Sequence, residues 1–327
     1  MEINLFGCKD TTLYLAKYLK TKDIKINLIT ISKKLAEKNQ VAGYINLCDF
    51  KKLFSKIYVS KSYNLKNKID QDYFLKANRA DLAFCCGWQR LIPSVILSNH
   101  KFGVFGMHGS ARNLPFGKGR SPMNWAILEN RKFFFTNLFK YNSGVDSGPI
   151  VDQRIFSIQK QDNSETLHYK NMLSMCDLIY KNFQNLNKKD QTLKEQKKNC
   201  ESFYPKRTPN DSIIDWNDDI FNIERLIRAV TLPFSGAISF INKIPIYVYE
   251  ASVFYTDLEN HIYLDKKFGE IVEIFLNGKF LVRCSGGIMI INRYKSKKNI
   301  VKKNIKFDQN SPNLKRFKRN EYGFFDI

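Results

Sequence analysis

Along the first half of the chain, short apolar runs alternate with amphipathic stretches, the pattern expected of strands alternating with helices. Met1 to Phe6 predicts a strand, Gly7 to Asp10 a turn, and about Thr11 to Lys20 an amphipathic helix. Ile24 to Ile31 predicts a second strand, giving the βαβ start of an open, mostly parallel sheet. Ala80 to Cys86 (ADLAFCC) reads as a continuously buried strand, Leu91 to Leu97 as a short helix, and Phe102 to Met107 as the next strand. Further strands follow at Phe133 to Tyr141 and Ile150 to Phe156, with a helix from Met123 to Leu128 that places Trp125 in the core. A long helix spans Ser164 to Leu186, with Leu167, Met172, Met175, Leu178 and Ile179 on its buried face.

The pattern changes at Asn187 to Cys200, which is polar and lysine-rich, and Tyr204 to Pro209 (YPKRTP) is held extended by its prolines. Beyond it, Ile220, Ile223, Leu226, Ile227 and Val230 share one helix face. Short strands then follow at Ala237 to Ile241, Ile246 to Glu250, Gly269 to Ile274, Phe280 to Cys284 and Gly287 to Asn292, which predict a small β-barrel. The expected organisation is an α/β domain over 1–186, a linker over 187–210, a barrel domain over 211–305 and a basic tail over 306–327.

Composition changes this picture little: 327 residues, 43% of them hydrophobic, suffice for two separate cores. Seven scattered cysteines without a repeated CxxC, and a start (MEINLFGCKD) without a basic segment leading into an apolar one, predict free thiols in a cytoplasmic protein. No apolar run reaches bilayer-spanning length. The net charge of +22 admits two readings. One is a polyanionic partner such as tRNA, or a phosphate-bearing substrate steered by the field. The other, preferred because lysines are spread through the chain and cluster only in the tail, is AT-rich coding, which favours Lys, Asn, Ile, Phe and Tyr. The tail is then a solvated segment in preference to an anionic-surface contact. No GxGxxG follows the first strand, so a dinucleotide fingerprint is absent.

The candidate chemistry lies between Gly103 and Val151. The first apolar run delivers His108 to a Gly/Ser/Pro turn, and the second leads into Ser143 to Gly148, which contains Asp146. If the two runs are neighbouring strands ending on one edge, His108 and Asp146 meet at the carboxyl end of a sheet, where open α/β proteins bind ligands. A histidine oriented by a carboxylate is a general acid-base unit that works near neutral pH. The loop from Gly109 to Pro122 carries Arg112, Lys118 and Arg120, and either cradles a phosphate or merely turns. His100, His168 and His261 have no partner motif and are expected at the surface or capping helices. The adjacent Cys85 and Cys86 are poorly placed to chelate, so no metal is expected. Asp152 reads as a strand-end charge, and Lys206 and Arg207 as a clamp onto acids of the first domain.

The segments GWQRLIP (Gly87 to Pro93), HGS with LP and GRSPMNWAI (His108 to Ile127), GVDSGPIV (Gly144 to Val151), PKRTPNDSIIDW (Pro205 to Trp216) and IRAVTLPFSGA (Ile227 to Ala237) together carry a specific resemblance. Through about Asn292, the chain resembles the N10-formyltetrahydrofolate-dependent formyltransferases. This family includes methionyl-tRNA formyltransferase, glycinamide ribonucleotide formyltransferase and sugar N-formyltransferases; the RTPND form is most like enzymes of nucleotide-linked 4-amino sugars. The resemblance implies a Rossmann-like α/β domain followed by a small OB-like β-barrel. It implies N10-formyltetrahydrofolate as co-substrate, its pterin against backbone near Cys86, Gly87, Trp88, Arg90, Leu91 and Ile92 and near Tyr141, Gly144 and Asp146. His108 and Asp146 match the catalytic pair, and Gly109, Ser110, Lys118 and Arg120 are expected at the substrate.

One position departs from the family pattern: Gly106 stands where an Asn is usual, two residues before His108, and the loop after Ser110 is two residues longer. That Asn donates to the oxyanion, and loss of one such donor costs about 2.7–4 kcal/mol. Asn113, Ser110 or Asn124 fills the role, or backbone and His108 suffice, or the site has lost catalysis. The reading taken from the resemblance is formyl transfer to the amine of a dTDP-, UDP- or GDP-linked 4-amino-deoxysugar for surface polysaccharides such as lipopolysaccharide O-antigen. The alternatives are methionyl-tRNA formylation and a folate- or nucleotide-sugar-binding protein without turnover. A homodimer through the apolar aromatic strands of the second domain is left open.

Overall fold

The structure, a computed structural model, describes residues 2–41, 43–77, 80–197, 200–256, 263, 265–309, 317–321 and 323–325. The chain opens with β1 (Glu2–Phe6), α1 (Asp10–Lys20), β2 (Lys25–Ile31) and α2 (Lys33–Lys38). After a 3-10 segment come β3 (Lys56–Ser60), α3 (Lys68–Ala77), β4 (Leu82–Cys85), α4 (Ser94–Ser98) and β5 (Gly103–Ser110). Next are β6 (Lys118–Gly119), α5 (Pro122–Leu128), β7 (Phe133–Lys140), β8 (Ile150–Ser157) and α6 (Ser164–Leu186). The remainder holds β9 (Phe203–Tyr204), α7 (Ile220–Val230), β10 (Ala237–Ile241), β11 (Ile244–Phe254), β12 (Ile271–Ile274), β13 (Phe280–Cys284) and β14 (Gly287–Ser296).

Two compact units result, and neither is contiguous in sequence. The first comprises Met1–Gly119, Phe134–Phe156 and Tyr169–Ser202; the second comprises Arg120–Phe133, Ser157–His168 and Phe203–Ile327.

The first unit is built on a seven-stranded sheet of order β3-β2-β1-β4-β5-β7-β8. The strands from β3 to β5 are mutually parallel, and β7 lies antiparallel to β5. Because strand order reverses direction between β1 and β4, their carboxyl ends form the switch point where a ligand crevice is expected. Both sheet faces are covered, which explains the uninterrupted apolar character of β4. One face packs Leu5, Phe84 and Phe105 against Leu15 and Leu19 of α1 and Met175 and Ile179 of α6. The other packs Phe6, Ile29 and Val104 against Phe74 of α3 and Ile96 of α4. The α6 bounds agree with the apolar periodicity. By contrast, the edge strand β3 and helix α3 have no expectation to match, because KIYVS and KIDQDYFLKA mix charge with too few apolar positions to show a period.

The second unit carries a five-stranded antiparallel sheet of order β10-β11-β14-β13-β12. Residues 304–308 join its edges. The Asn304 N–H donates to Ile271 O at 2.8 Å, Phe307 N–H to Gly269 O at 2.9 Å, and Asp308 N–H to Phe240 O at 2.8 Å. Trp216, fully buried, stacks on Phe307 with ring centroids 4.8 Å apart and donates its Nε1–H to Ser239 Oγ.

One expectation changes in this unit. The tail is not simply solvated: Arg319 pairs with Glu129 at 2.8 Å and lies over the Phe325 ring, while Phe317 and Phe325 pack on Trp125. Lys315 and Arg316 lie outside the described residues. Within this unit Arg207 donates to Asp211 O, and its guanidinium sits 5.0 Å from the Trp125 ring. In the first unit, of the two places expected for His100, surface or helix cap, it takes the second: it is buried, Asn4 Nδ2 lies 2.8 Å from its Nε2, and its Nδ1 faces Ile96 O near the end of α4 at 2.8 Å. His168 is half-buried on α6, and His261 lies outside the described residues.

Candidate active site

His108 stands inside β5, not at the mouth of a turn. The strand runs four residues past its last pairing with β4, at Cys85 and Gly106, and in this extension His108 lies opposite Asn137 of β7. Asn137 fixes the histidine's backbone by donating Nδ2–H to His108 O at 3.2 Å. Since β5 and β7 are antiparallel, they do not end on one edge, contrary to the expectation. The loop after β7 turns back instead and brings Asp146 to the histidine.

His108 Nδ1 lies 3.3 Å from Asp146 Oδ2, and Nε2 lies 2.8 Å from the carbonyl of Gly117. A carbonyl can only accept, so Nε2 carries the hydrogen. Ser110 Oγ donates to the same carbonyl at 2.9 Å, and Asp146 Oδ2 accepts the Gly119 N–H at 3.1 Å. The loop from 117 to 119 is thereby held on both members of the pair.

The Asp146 loop is tightly determined. Asp146 itself has φ +47°, a left-handed conformation that Asp tolerates better than most residues. Asn142 Oδ1 accepts from Gly144 N–H and Ser147 Oγ, drawing the turn together. Gly148 has no room for a side chain: a Cβ there would lie 1.7 Å from the Lys140 carbonyl oxygen. Gln196 donates to both Asp146 O at 2.8 Å and Gly148 O at 2.7 Å. Ser202 supports the partner loop by accepting the Gly117 N–H at 3.0 Å. Gln196, Glu201 and Ser202 escaped the sequence reading because they sit in a lysine-rich stretch without periodicity.

The residues expected at the substrate are placed differently. Lys118 is 2% exposed, and its ammonium is 2.6 Å from the Glu201 carboxylate. Gly109 faces away from His108, as strand alternation requires, against Asn171 and Phe134. Arg120 is exposed and belongs to the second unit. Among the expected substitute donors, Asn124 lies in the second unit and donates to Ala229 O, and Asn113 Oδ1 accepts from Gln153. Ser110 is spent on Gly117. Asp152 pairs with Lys181 and Asn182, in keeping with a strand-end charge.

The space beside Gly106 is filled by Tyr141. A Cβ built on Gly106 would stand 2.0 Å from Tyr141 Cε1, 2.4 Å from Cζ and 2.5 Å from the hydroxyl oxygen. Any side chain at 106 is thus excluded by the tyrosine ring. Tyr141 is pinned by its N–H to Val104 O at 2.8 Å and stacks on Phe139. Burial, with a smaller contribution from Cys85, pushes its phenol well above the ordinary tyrosine value, so it remains a neutral O–H donor.

The two stretches expected to flank a pterin adjoin through this tyrosine, which hydrogen-bonds the Cys85 side chain and packs against the core cluster that contains Trp88 and Ile92. Trp88 and Ile92 are buried, so only their backbone can face a ligand, whereas Leu91 is 55% and Val145 45% exposed. Trp88 Nε1 is buried with no hydrogen-bond partner among the described residues. Gly87 has φ +76°, Arg90 lies over the Tyr63 ring, and Gly144 is exposed. Burial pushes the Cys85 thiol up to about 12 and raises that of Cys86. These apolar stretches at the switch point suit a flat heterocycle.

Comparison with known proteins agrees with the fold. A model described as "Formyl transferase" matches residues 13–173, and one described as "Formyl transferase, C-terminal domain" matches residues 206–307. The chain belongs to the formyl transferase family. It is 32% identical over 210 residues to the bifunctional polymyxin resistance protein ArnA of Wigglesworthia glossinidia brevipalpis, covering 62% of this chain and 31% of that protein. HypX from Aquifex aeolicus in complex with tetrahydrofolic acid superposes with a TM-score of 0.65 at 15% identity, over 90% of this chain and 44% of that one. An N-formyltransferase from Helicobacter canadensis, in complex with folinic acid and dTDP-3-aminofucose, gives 0.59 at 18% identity, over 88% and 98%. At such identities the structural likeness is one of fold, and the chain spans under half of HypX and about a third of ArnA. Among the described residues, no helix is long and apolar enough to cross a membrane.

Proposed function

We propose that the chain transfers the formyl group of N10-formyltetrahydrofolate to the primary amine of a nucleotide-linked amino sugar, with a 4-amino-deoxysugar as first acceptor. The observation that carries this reading is the His108–Asp146 pair, in a chain that matches both formyl transferase domain models. Backbone of 86–92 and 141–146, with Leu91 and Val145, would hold the folate, which supplies an activated formyl carbon. The acceptor amine attacks that carbon, the C–N10 bond breaks, and N10 takes a proton as tetrahydrofolate leaves. Asp146 or a water held by the pair takes the proton from the amine, while the Asp146 carboxylate orients the imidazole. The complex of a fold relative with folinic acid and dTDP-3-aminofucose supports a nucleotide-linked amino sugar as acceptor, without distinguishing a 4-amino from a 3-amino sugar.

The test is tetrahydrofolate release from N10-formyltetrahydrofolate across a panel of nucleotide-linked 3-amino and 4-amino sugars, with methionyl-tRNA in parallel. Turnover with one sugar supports the proposal. Turnover with methionyl-tRNA alone reassigns the acceptor to the polyanion that the net charge of +22 would suit. Folate binding without turnover identifies a binding protein.

A further inference from the structure

Formyl transfer passes through a tetrahedral species whose former carbonyl oxygen carries negative charge, and a positioned donor on that oxygen is worth a large part of the rate. His108 is poorly available for this task, because its ring nitrogens face Asp146 Oδ2 and the Gly117 carbonyl. Ser110 and Asn124 donate elsewhere, and Asn113 is held through its Oδ1, which accepts from Gln153. Residues two apart on a strand share one face, so a side chain at 106 would rise beside that of His108. That place belongs to the Tyr141 ring, whose hydroxyl oxygen lies 2.5 Å from the Cβ position of residue 106.

We propose that Tyr141 is a catalytic residue, its phenolic O–H donating to the formyl oxygen as negative charge develops there, from the space that glycine at 106 leaves open. The proposal rests on the formyl-transfer reading. Three features of the site suit the role. Backbone anchoring to Val104 and stacking on Phe139 hold the ring in place before substrate arrives. Burial keeps the phenol protonated through neutral pH. The partner it holds, the Cys85 thiol, is a weak acceptor that an oxyanion readily displaces.

Tyr141→Phe keeps the ring over Gly106 and removes only the hydroxyl. The expected result is a fall in kcat of about 10²–10³-fold, with KM for N10-formyltetrahydrofolate within about threefold and an unchanged circular dichroism spectrum. A second variant guards against a folding effect. Tyr141→Ala empties the space, and adding Gly106→Asn places an amide donor there; the double variant is expected to exceed Tyr141→Ala at least about tenfold in kcat. Wild-type kcat in Tyr141→Phe, or a folded double variant no faster than Tyr141→Ala, overturns the proposal. If wild type transfers formyl while Tyr141→Phe does so equally, only this role is lost. If wild type releases no tetrahydrofolate with any amine, the functional reading fails and the role falls with it.

Discussion

Asp146 meets His108 from a left-handed backbone: at φ +47° its Oδ2 stands 3.3 Å from the imidazole Nδ1. The contact depends on the turn between Asn142 and Gly148 at least as much as on the carboxylate. Charge and conformation are therefore separable by mutation.

Asp146→Asn retains the side-chain size and the tolerance of positive φ, so the loop should keep its shape. Loss of the charge that orients His108 is expected to lower kcat by about 10²–10⁴-fold. Steady-state kinetics beside a thermal melt checks this, and a variant retaining more than a tenth of wild-type kcat would dismiss the pair from the mechanism.

Gln196→Ala removes the two donors that hold Asp146 O and Gly148 O. Loss of stability is expected to be modest, about 1–2 kcal/mol in urea unfolding. The kcat should fall about tenfold, equivalent to about 1.4 kcal/mol of barrier, because the carboxylate no longer has one position. Unchanged kcat would show that the 142–148 turn holds Asp146 unaided.

Glu129 should contribute acid-sensitive stability to the second unit. Burial by itself would raise its carboxyl, but hydrogen bonds from Tyr204, Arg319 and Arg131 outweigh that and leave it below the ordinary glutamate value. A group depressed in the folded state stabilises above its unfolded value, about 4.3, and loses that contribution as pH falls through the folded value. Glu129→Gln is expected to cost about 1–3 kcal/mol at pH 7 and to flatten the unfolding free energy below about pH 4.3. Parallel pH profiles for the two proteins would rule this out.

His100 should act at higher pH. Burial holds its imidazole below the ordinary value, partly opposed by the bond to Ile96 O. With Nδ1–H donating to that carbonyl, Nε2 accepts from Asn4, and a proton on Nε2 would oppose the amide donor. Its stabilisation is therefore complete above the unfolded value of about 6.5 and declines as pH falls below it toward the folded value. Melting temperatures from pH 7.5 to 5 should drop more steeply for wild type than for His100→Gln; equal slopes would refute the assignment.

Much of this architecture was legible in one dimension. Apolar runs marked β1, β2 and β4 because strands covered on both faces need apolar residues at nearly every position, and the 3.6-residue period marked α6 to its ends. The short apolar segments of the second half marked β10, which alternates buried and half-buried positions, and the more fully buried β13. His108 and Asp146 stood out because each ends an apolar run in a turn-rich stretch. The edge strand β3, with a charged and half-exposed surface, left no such trace.

The sequence by itself thus determined most of the segments that become strands and helices, and which His and Asp are the candidates for the chemistry, because burial periodicity and residue type are local properties. Only the tertiary structure decided that β7 runs antiparallel to β5, that Gln196 and Ser202 hold the active loops, and that Tyr141 fills the space above Gly106. Those facts depend on strand direction, register and the volume left by a missing side chain. Each of these is set by residues tens of positions apart, which no local pattern records.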